Sequence, residues 1–520
     1  MRYTESLADS PALHHRAGKG LFFNYRSFLW LALGTLLACF ASNGIWDLSI
    51  AAWLYPTFFL RFTRTHKPLI ALAGVWLANV VSIIFVLYES RFPGGPTVIL
   101  FGAFLIFATI FTLPYLLDRL LTERIGSRSV LLMTLVFPLG RVACEYLLSF
   151  VPFGGVFSLG YTQHSNLPLL QLLSVTGVYG ISFLITWFAS VVAWIWEQRF
   201  FWDRIRPLTL LYTGVLVLIL LGGGIRLAFF TPSAQTVRIA GVTVSKATSR
   251  HASKYIHGEH IDLAQARTAF TIISNELFAL SQREARAGAK IVIWAEKDVL
   301  TLEDDKAHLI ERAQSLAQQE HIYLEMGLAV VHKQATSLEL LQNQAILINP
   351  EGKVVWTYNK AHPVPGLENI PPGDGTVPVS TTPYGRLANV LCFDADFPSL
   401  LQQAGHKGID IMLVPALDWA GIDPWHTQHA TFRAIENGYS LVRQTSQGLS
   451  ETVDYQGHIL AATDYYTTDQ QTMVAAVPIQ GTWTLYAQIG DLFSWLCCAG
   501  LFLLTRLAIF MRSQPQTLAK

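Results

Sequence analysis

Long, unbroken apolar runs occupy the first 230 positions of this chain, a mixed pattern follows, and one last apolar run stands near the end. Eight runs approach the roughly 20 apolar residues a helix needs to cross a bilayer. They are Phe28–Phe40 with its flanks, Trp46–Phe62, Leu69–Tyr88, Thr97–Leu117, Val130–Val151, Val175–Trp196, Leu208–Phe229 and Gly490–Phe510. The first lacks a small-residue cleavage site and leads directly into the second, so it is read as a retained span and not a signal peptide. Between Thr236 and Tyr486 the runs shorten to strand and amphipathic-helix lengths. Strands are expected at Val237–Val244, Lys290–Trp294, Ile322–Val331, Ala345–Asn349, Val354–Tyr358, Ala388–Phe393, Ile409–Val414 and Tyr439–Thr445. Helices are expected at Ile261–Ala287, Ala307–Gln319 and Trp425–Glu436, with hairpin turns at Pro350–Lys353 and Asp454–Gly457. This alternation predicts an α/β sandwich with its core between sheets.

Composition agrees with the pattern. Hydrophobic residues make up 52% of the 520 positions and charged ones 14%, against roughly 25% charged in soluble proteins. A net charge of +1 offers no argument for nucleic acid. Basic residues cluster at alternate connections: Arg16, Lys19 and Arg26; Arg61, Arg64 and Lys67; Arg119, Arg124 and Arg128; Arg199, Arg204 and Arg206; Arg512 and Lys520. By the positive-inside rule both termini are expected in the cytoplasm and the middle domain outside. The expected organisation is a tail at 1–26, seven spans in 27–230, an extracytoplasmic domain at 231–486, a last span at 487–511 and a tail at 512–520.

Candidate chemistry centres on one thiol. Of five cysteines, Cys39, Cys144, Cys497 and Cys498 fall in membrane-length apolar runs, and only Cys392 lies in the middle domain. Their spacing suggests neither a disulfide framework nor a zinc site. Cys392 ends a short apolar run, as Glu296 ends Ile291–Trp294 and Lys360 follows Val354–Tyr358. Each alone has a bland reading, a solvated strand end or a small buried hydrophobe. Acid, lysine and thiol at three strand ends can converge on one sheet edge as a base, a charge stabiliser and a nucleophile. Arg141 and Glu145, four residues apart inside one apolar run, can pair on a helix face or meet a lipid headgroup. His362 and His426 have no metal-ligand spacing around them and read as surface or satisfied histidines.

Glu296, Lys360 and Cys392, in this order, resemble the catalytic set of the nitrilase (carbon–nitrogen hydrolase) superfamily. Cys392-Phe393-Asp394-Ala395-Asp396-Phe397-Pro398 and Arg433-Ala434-Ile435-Glu436-Asn437 are similar to its nucleophile segment and a following helix. With seven runs before and one after, the chain resembles the apolipoprotein N-acyltransferase family. Tyr358-Asn359-Lys360-Ala361-His362-Pro363-Val364-Pro365-Gly366-Leu367-Glu368 is similar to that family's lysine motif and second acid. So are Pro152-Phe153-Gly154-Gly155, Leu159–Gln163, Gly177–Gly180 and Gly490-Asp491 to its loop before span six, the start of that span and the approach to the last span. Departures are Trp294-Ala295-Glu296 for Trp-Pro-Glu, Asp394 for Glu, no Gln-Gly-Asn after the first strand, and Ala416-Leu417-Asp418-Trp419-Ala420-Gly421 for Asn-Asp-Ala-Trp-Phe-Gly.

The resemblance implies a polytopic helical bundle of about eight spans carrying an α-β-β-α sandwich. It implies acyl transfer from a phospholipid, through a thioester on Cys392, to the amine of a diacylated lipoprotein, with ping-pong kinetics. Glu296 would be the base, Lys360 the oxyanion stabiliser, Glu368 and Asp394 supporting acids, and Trp419 a contact for acyl chain or lipid. No cofactor or metal is implied. The expected partners are membrane lipids and these two substrates, the oligomeric state a monomer, and the place a bacterial inner membrane with the catalytic domain on its periplasmic side. Two other readings stay open: an amidase or acyltransferase for a different amine, and a non-enzymatic transporter or scaffold, against which stands the lack of an internal repeat.

Overall fold

The computed structural model describes residues 25–41, 44–93, 98–126, 128–232, 235–256, 262–333, 338–469 and 472–510. The expected cytoplasmic tails, with Arg16, Lys19, Arg512 and Lys520, lie outside the described residues except for Tyr25 and Arg26, which open the first helix, and Thr97 lies outside them too. The apolar runs form helices at Tyr25–Cys39, Ser49–Thr65, Pro68–Ser90, Val98–Gly126, Val130–Leu148, Val178–Glu197, Trp202–Phe229 and Leu492–Phe510. Among the described residues six of these are long and apolar enough to cross a membrane, fewer than the eight expected. The first two have 15 and 17 residues. At 1.5 Å per residue the second reaches only about 25 Å, short of a hydrocarbon core of about 30 Å, and the described part of the first covers about 22 Å. The second starts at Ser49, later than its apolar run, and ends in a polar turn where Arg64 pairs with Asp118 at 2.7 Å.

Within the bundle Arg141 and Glu145 form a buried ion pair at 2.6 Å. Glu145 also accepts hydrogen bonds from Ser158 Oγ at 2.8 Å and Leu159 N at 3.2 Å. The Arg141 guanidinium lies over the Phe111 ring, 4.3 Å from its centre. Donors and a ring face thus surround both charges where water is scarce.

The rest of the chain is a two-sheet sandwich. Its strands are β1 (Thr236–Val242), β2 (Ile291–Trp294), β3 (Val299–Leu302), β4 (Tyr323–Lys333), β5 (Leu338–Ile348), β6 (Val354–Asn359), β7 (Val379–Thr382), β8 (Gly385–Asn389), β9 (Ile411–Ala416), β10 (Ser440–Thr445), β11 (Leu449–Val453), β12 (Ile459–Asp464) and β13 (Thr472–Pro478). One sheet has the order β13-β1-β2-β4-β5-β6, with β3 also pairing β4; the other runs β12-β11-β10-β9-β8-β7. In β2, Ile291 and Ile293 face the second sheet while Val292 and Trp294 face the outer helices. Burial on both faces explains an apolar run without polar alternation. Helices Leu263–Arg286 and Lys306–Glu320 cover that outer face with Ala269, Ile273, Leu277, Leu309, Ala313 and Leu316.

The second sheet's covering helix, Trp425–Asn437, is shared with the bundle: its Phe432 and Ile435 belong to the apolar core of the membrane helices. Arg433 pairs with Glu436 at 2.8 Å and donates to the Tyr161 hydroxyl at 2.8 Å. Val178 N, at the start of helix Val178–Glu197, donates to Glu436 at 2.9 Å. This seam holds the sandwich on the bundle.

Candidate active site

Parallel strands end in the same direction, so residues just past their C-terminal ends meet at one edge. In the first sheet β2 runs parallel to β4, and β6 reaches the same direction through two antiparallel steps. In the second, β8, β9 and β10 are parallel. Glu296 follows β2, Lys360 follows β6, Cys392 follows β8 and Asp418 follows β9. Gly327 on β4 lets the turn after β2 pass close: a Cβ there would lie 2.9 Å from the Glu296 Cα and collide with the Ala295 carbonyl.

Lys360 Nζ donates to Glu296 Oε1 at 2.8 Å and to Glu368 Oε2 at 2.8 Å. Glu296 also accepts from Asn343 Nδ2 at 2.6 Å and from Leu417 N at 2.9 Å. Glu368 accepts from Lys297 Nζ at 2.7 Å, Asn343 Nδ2 at 3.1 Å and Val364 N at 3.0 Å. Lys360 is 1% exposed. Burial opposes its charge, but Glu296, the Cys392 sulfur and Glu368 outweigh burial and raise its pKa above the ordinary lysine value. For Glu368 burial works the other way, and Lys360 and Lys297 overcome it, lowering the carboxyl to about 2. Two of the three ammonium donors of Lys360 are engaged by carboxylates, which leaves one for a developing oxyanion.

Cys392 does not continue a strand, contrary to the expected strand Ala388–Phe393. β8 stops at Asn389, and Cys392 opens a short 3₁₀ turn, Cys392–Asp396, with φ of +43°. A left-handed backbone at a non-glycine residue costs energy and is held here by its surroundings. Asp394 supplies much of that hold. Its carboxylate accepts from Tyr358 OH at 2.8 Å, His362 N at 2.7 Å, Ala361 N at 3.3 Å and Leu391 N at 3.2 Å. It therefore ties the thiol's turn to the end of the lysine strand.

Cys392 Sγ lies 3.6 Å from Leu417 O, 3.8 Å from Asp418 Oδ1 and 4.0 Å from an Arg443 nitrogen. Burial first, then Glu296 and Asp418, push the thiol well above its ordinary pKa, against the pull of Lys360 and Arg443. The resting group is therefore S–H, and a nucleophile forms only with a base at hand.

Cys392, Asp418 and His426 place ligand atoms within 4.8 Å of one another, a grouping their spacing along the chain did not suggest. Arg443 already occupies the middle. Its guanidinium reaches Asp418 at 2.9 Å and His426 Nδ1 at 2.9 Å. His426 is buried, not at the surface, and bridges Asp418 at 2.6 Å and Asp396 at 2.7 Å. Burial opposes its proton, yet the two carboxylates raise its pKa to about 9. A cation among these groups meets the need a metal would meet. Asn343, Lys297, Asp396, Asp418, His426 and Arg443 are not site candidates from sequence: Asp396 stands in the nucleophile segment, Asp418 is a departure from the family pattern, and His426 reads as a surface or satisfied histidine.

Glu296, Lys360, Glu368 and Cys392 line a cavity of about 630 Å³. Its walls run on through Val364 and Leu367 to Val86, Leu87, Phe92, Phe104 and Phe157, from the membrane helices and their loops. Trp419 lines it too, with its indole N–H donating to Ser90 O at 2.6 Å at the end of helix Pro68–Ser90.

Comparison with known proteins places this architecture. Residues 258–486 match the carbon–nitrogen hydrolase family, and residues 32–191 match the apolipoprotein N-acyltransferase N-terminal domain. The apolipoprotein N-acyltransferase of Geobacter metallireducens is 26% identical over 75% of this chain and 77% of its own length. That of Haemophilus ducreyi is 24% identical over 82% and 84%. Among solved structures, an amidase from Nesterenkonia sp. is similar at 18% identity and a TM-score of 0.36, covering 49% of this chain and 94% of that one. The chain belongs to the apolipoprotein N-acyltransferase family, a membrane-bound branch of the carbon–nitrogen hydrolase superfamily.

Proposed function

We propose that the protein moves a fatty acyl chain from a phospholipid, through a thioester on Cys392, to the amine of a diacylglyceryl-cysteine lipoprotein. One observation carries this reading. The cavity that holds Glu296, Lys360 and Cys392 is lined as well by apolar side chains of the membrane helices and their loops, which offers an acyl chain an apolar site beside the thiol. The reaction is written with Glu296 as base. It takes the thiol proton as sulfur attacks the ester carbonyl, and Lys360 stabilises the oxyanion, a contribution of roughly 3–4 kcal/mol for such a donor. The ester C–O bond breaks, Glu296 returns the proton to the departing lysophospholipid oxygen, and a thioester remains. The acceptor amine then adds, Glu296 takes its proton, the C–S bond breaks and the thiol is restored as the amide leaves. Glu368 orients Lys360, Asp394 holds the turn of Cys392, and Trp419 borders the acyl path.

In the proposed setting this is a bacterial inner-membrane protein with residues 231–486 on the periplasmic side and both termini cytoplasmic, acting as a monomer. The test is intact-mass analysis of the purified full chain with phosphatidylglycerol, then with a diacylated lipopeptide. The expected results are an acyl adduct, its absence in Cys392→Ser, and a triacylated product. An adduct without triacylated product would move the activity to another amine acceptor. No adduct at all would end the acyltransferase reading.

A further inference from the structure

The polar end of the cavity holds a cation that the acyl-transfer steps do not use. Lys297 follows Glu296 directly, at φ of +53°, and lines the same cavity. The three cations of that lining differ in what remains free. The Lys360 side chain is 1% exposed and held by two carboxylates. The His426 side chain is 5% exposed and sits between Asp396 and Asp418. The Lys297 side chain is 21% exposed and spends one bond on Glu368 at 2.7 Å, which leaves two of its three N–H groups for another acceptor. One carboxylate, that of Glu368, separates it from Lys360.

The substrate supplies the complementary need. In a glycerophospholipid the phosphorus sits a few bonds from each ester oxygen, so an ester carbonyl at Cys392 brings a phosphodiester anion into the same end of the cavity. That anion leaves bulk water in a site walled largely by apolar side chains, and it requires a charged donor there. We propose that Lys297 binds the phosphodiester of the donor lipid and so makes the first half-reaction prefer a phospholipid over an uncharged diacylglycerol. This rests on the acyl-transfer reading and deepens it. The left-handed turn after Glu296 places the anion site one residue from the base, and the Glu368 contact keeps the ammonium folded over the cavity until an anion shares it. The acceptor peptide also carries anionic oxygens, but its amine arrives after the phosphate has left, and the ester geometry favours the donor.

The experiment follows acyl-Cys392 formation by intact mass in the full chain in detergent micelles. Dipalmitoyl phosphatidylglycerol and dipalmitoylglycerol offer the same esters with and without phosphate. In Lys297→Gln the preference for the phospholipid should fall about tenfold, the usual scale for losing a charge-assisted hydrogen bond, while Lys297→Arg should keep most of it. An equal loss with both lipids would assign Lys297 a structural role through Glu368 and overturn the proposal. So would a loss confined to the later step with lipopeptide. If the unmutated chain takes acyl groups from both lipids and Lys297→Gln keeps the same preference, the anion site alone fails. If the unmutated chain takes none, the acyl-transfer reading fails with it.

Discussion

On one side of Cys392, Glu296, Lys360, Glu368 and Asn343 form a chain of charges and hydrogen bonds at the end of a cavity that reaches the membrane helices. On the other, Asp396, His426, Asp418 and Arg443 are bound to one another. Both clusters are buried and both alternate acid with base. They differ in what is left over. Lys360 and Lys297 keep unspent donors toward the cavity. Both Asp418 oxygens accept from Arg443, at 2.9 and 3.2 Å, and one of them also accepts from His426. Burial opposes ionisation of Asp418, but Arg443 and His426 more than offset it and hold its carboxyl below the ordinary range. A carboxylate held this way has little affinity for the thiol proton, although it lies 3.8 Å from the sulfur. Under the proposed reaction, two buried charge clusters beside one thiol divide the work: one takes part in the chemistry, the other holds the scaffold.

The largest expected effect falls on the reactive cluster. Glu296→Gln should slow acylation of Cys392 about 10³-fold per folded molecule, the scale of a lost general base, while Glu368 remains to pair Lys360; equal rates would remove Glu296 from the chemistry. Asp418→Asn should act in the opposite sense. Breaking a buried, paired charge costs roughly 3–5 kcal/mol, so thermal unfolding should shift downward, with a smaller loss of activity per folded molecule. A loss as deep as that of Glu296→Gln, at an unchanged melting temperature, would erase the distinction between the clusters.

A pH series separates them more finely. His426 has its pKa raised from 6.5 to about 9. Its contribution to stability is therefore full below about 6.5 and lost as pH rises through about 9. Glu368 is lowered from 4.5 to about 2, so its contribution is present above about 4.5 and lost as pH falls through about 2. Melting curves from pH 6 to 10 should show the His426 loss, and the same series on His426→Asn should lack it. The smallest expected effect concerns the membrane loop. Gly155 N donates to Asp396 O at 2.8 Å, and a Cβ on Gly154, at φ of +63°, would lie 2.7 Å from that oxygen. Gly154→Ala should cost at least about 1 kcal/mol through its left-handed backbone, with the shift of the Asp396 carbonyl added, and lower the acylation rate severalfold, read by single-turnover mass analysis.

Local pattern carried much of this architecture. Apolar run lengths marked the helices of the bundle, and short both-faces-buried runs marked β2, β9 and β10. Failures have local causes as well. β11 (Leu449–Val453) and β12 (Ile459–Asp464) mix polar with apolar positions, and β13 is recognisable only once it pairs with β1. The expected strand Ala388–Phe393 overshoots β8 because Val390-Leu391-Cys392-Phe393 is apolar, whereas the turn there is held by Asp394 contacts with residues about 30 positions earlier.

What the sequence determined by itself is the set of parts: apolar runs before and after a sandwich domain, and an acid, a lysine and a thiol each just past a strand-like segment. Tertiary structure alone decided how they are used. Strand order and register bring Asn343 to Glu296, set His426 between two aspartates with Arg443 alongside, and join the thiol's cavity to the membrane helices. The reason is physical. Burial of apolar side chains follows a period of two or 3.6 residues that can be read along a chain, while a buried charge takes its meaning from partners that only the folded chain brings within hydrogen-bonding distance.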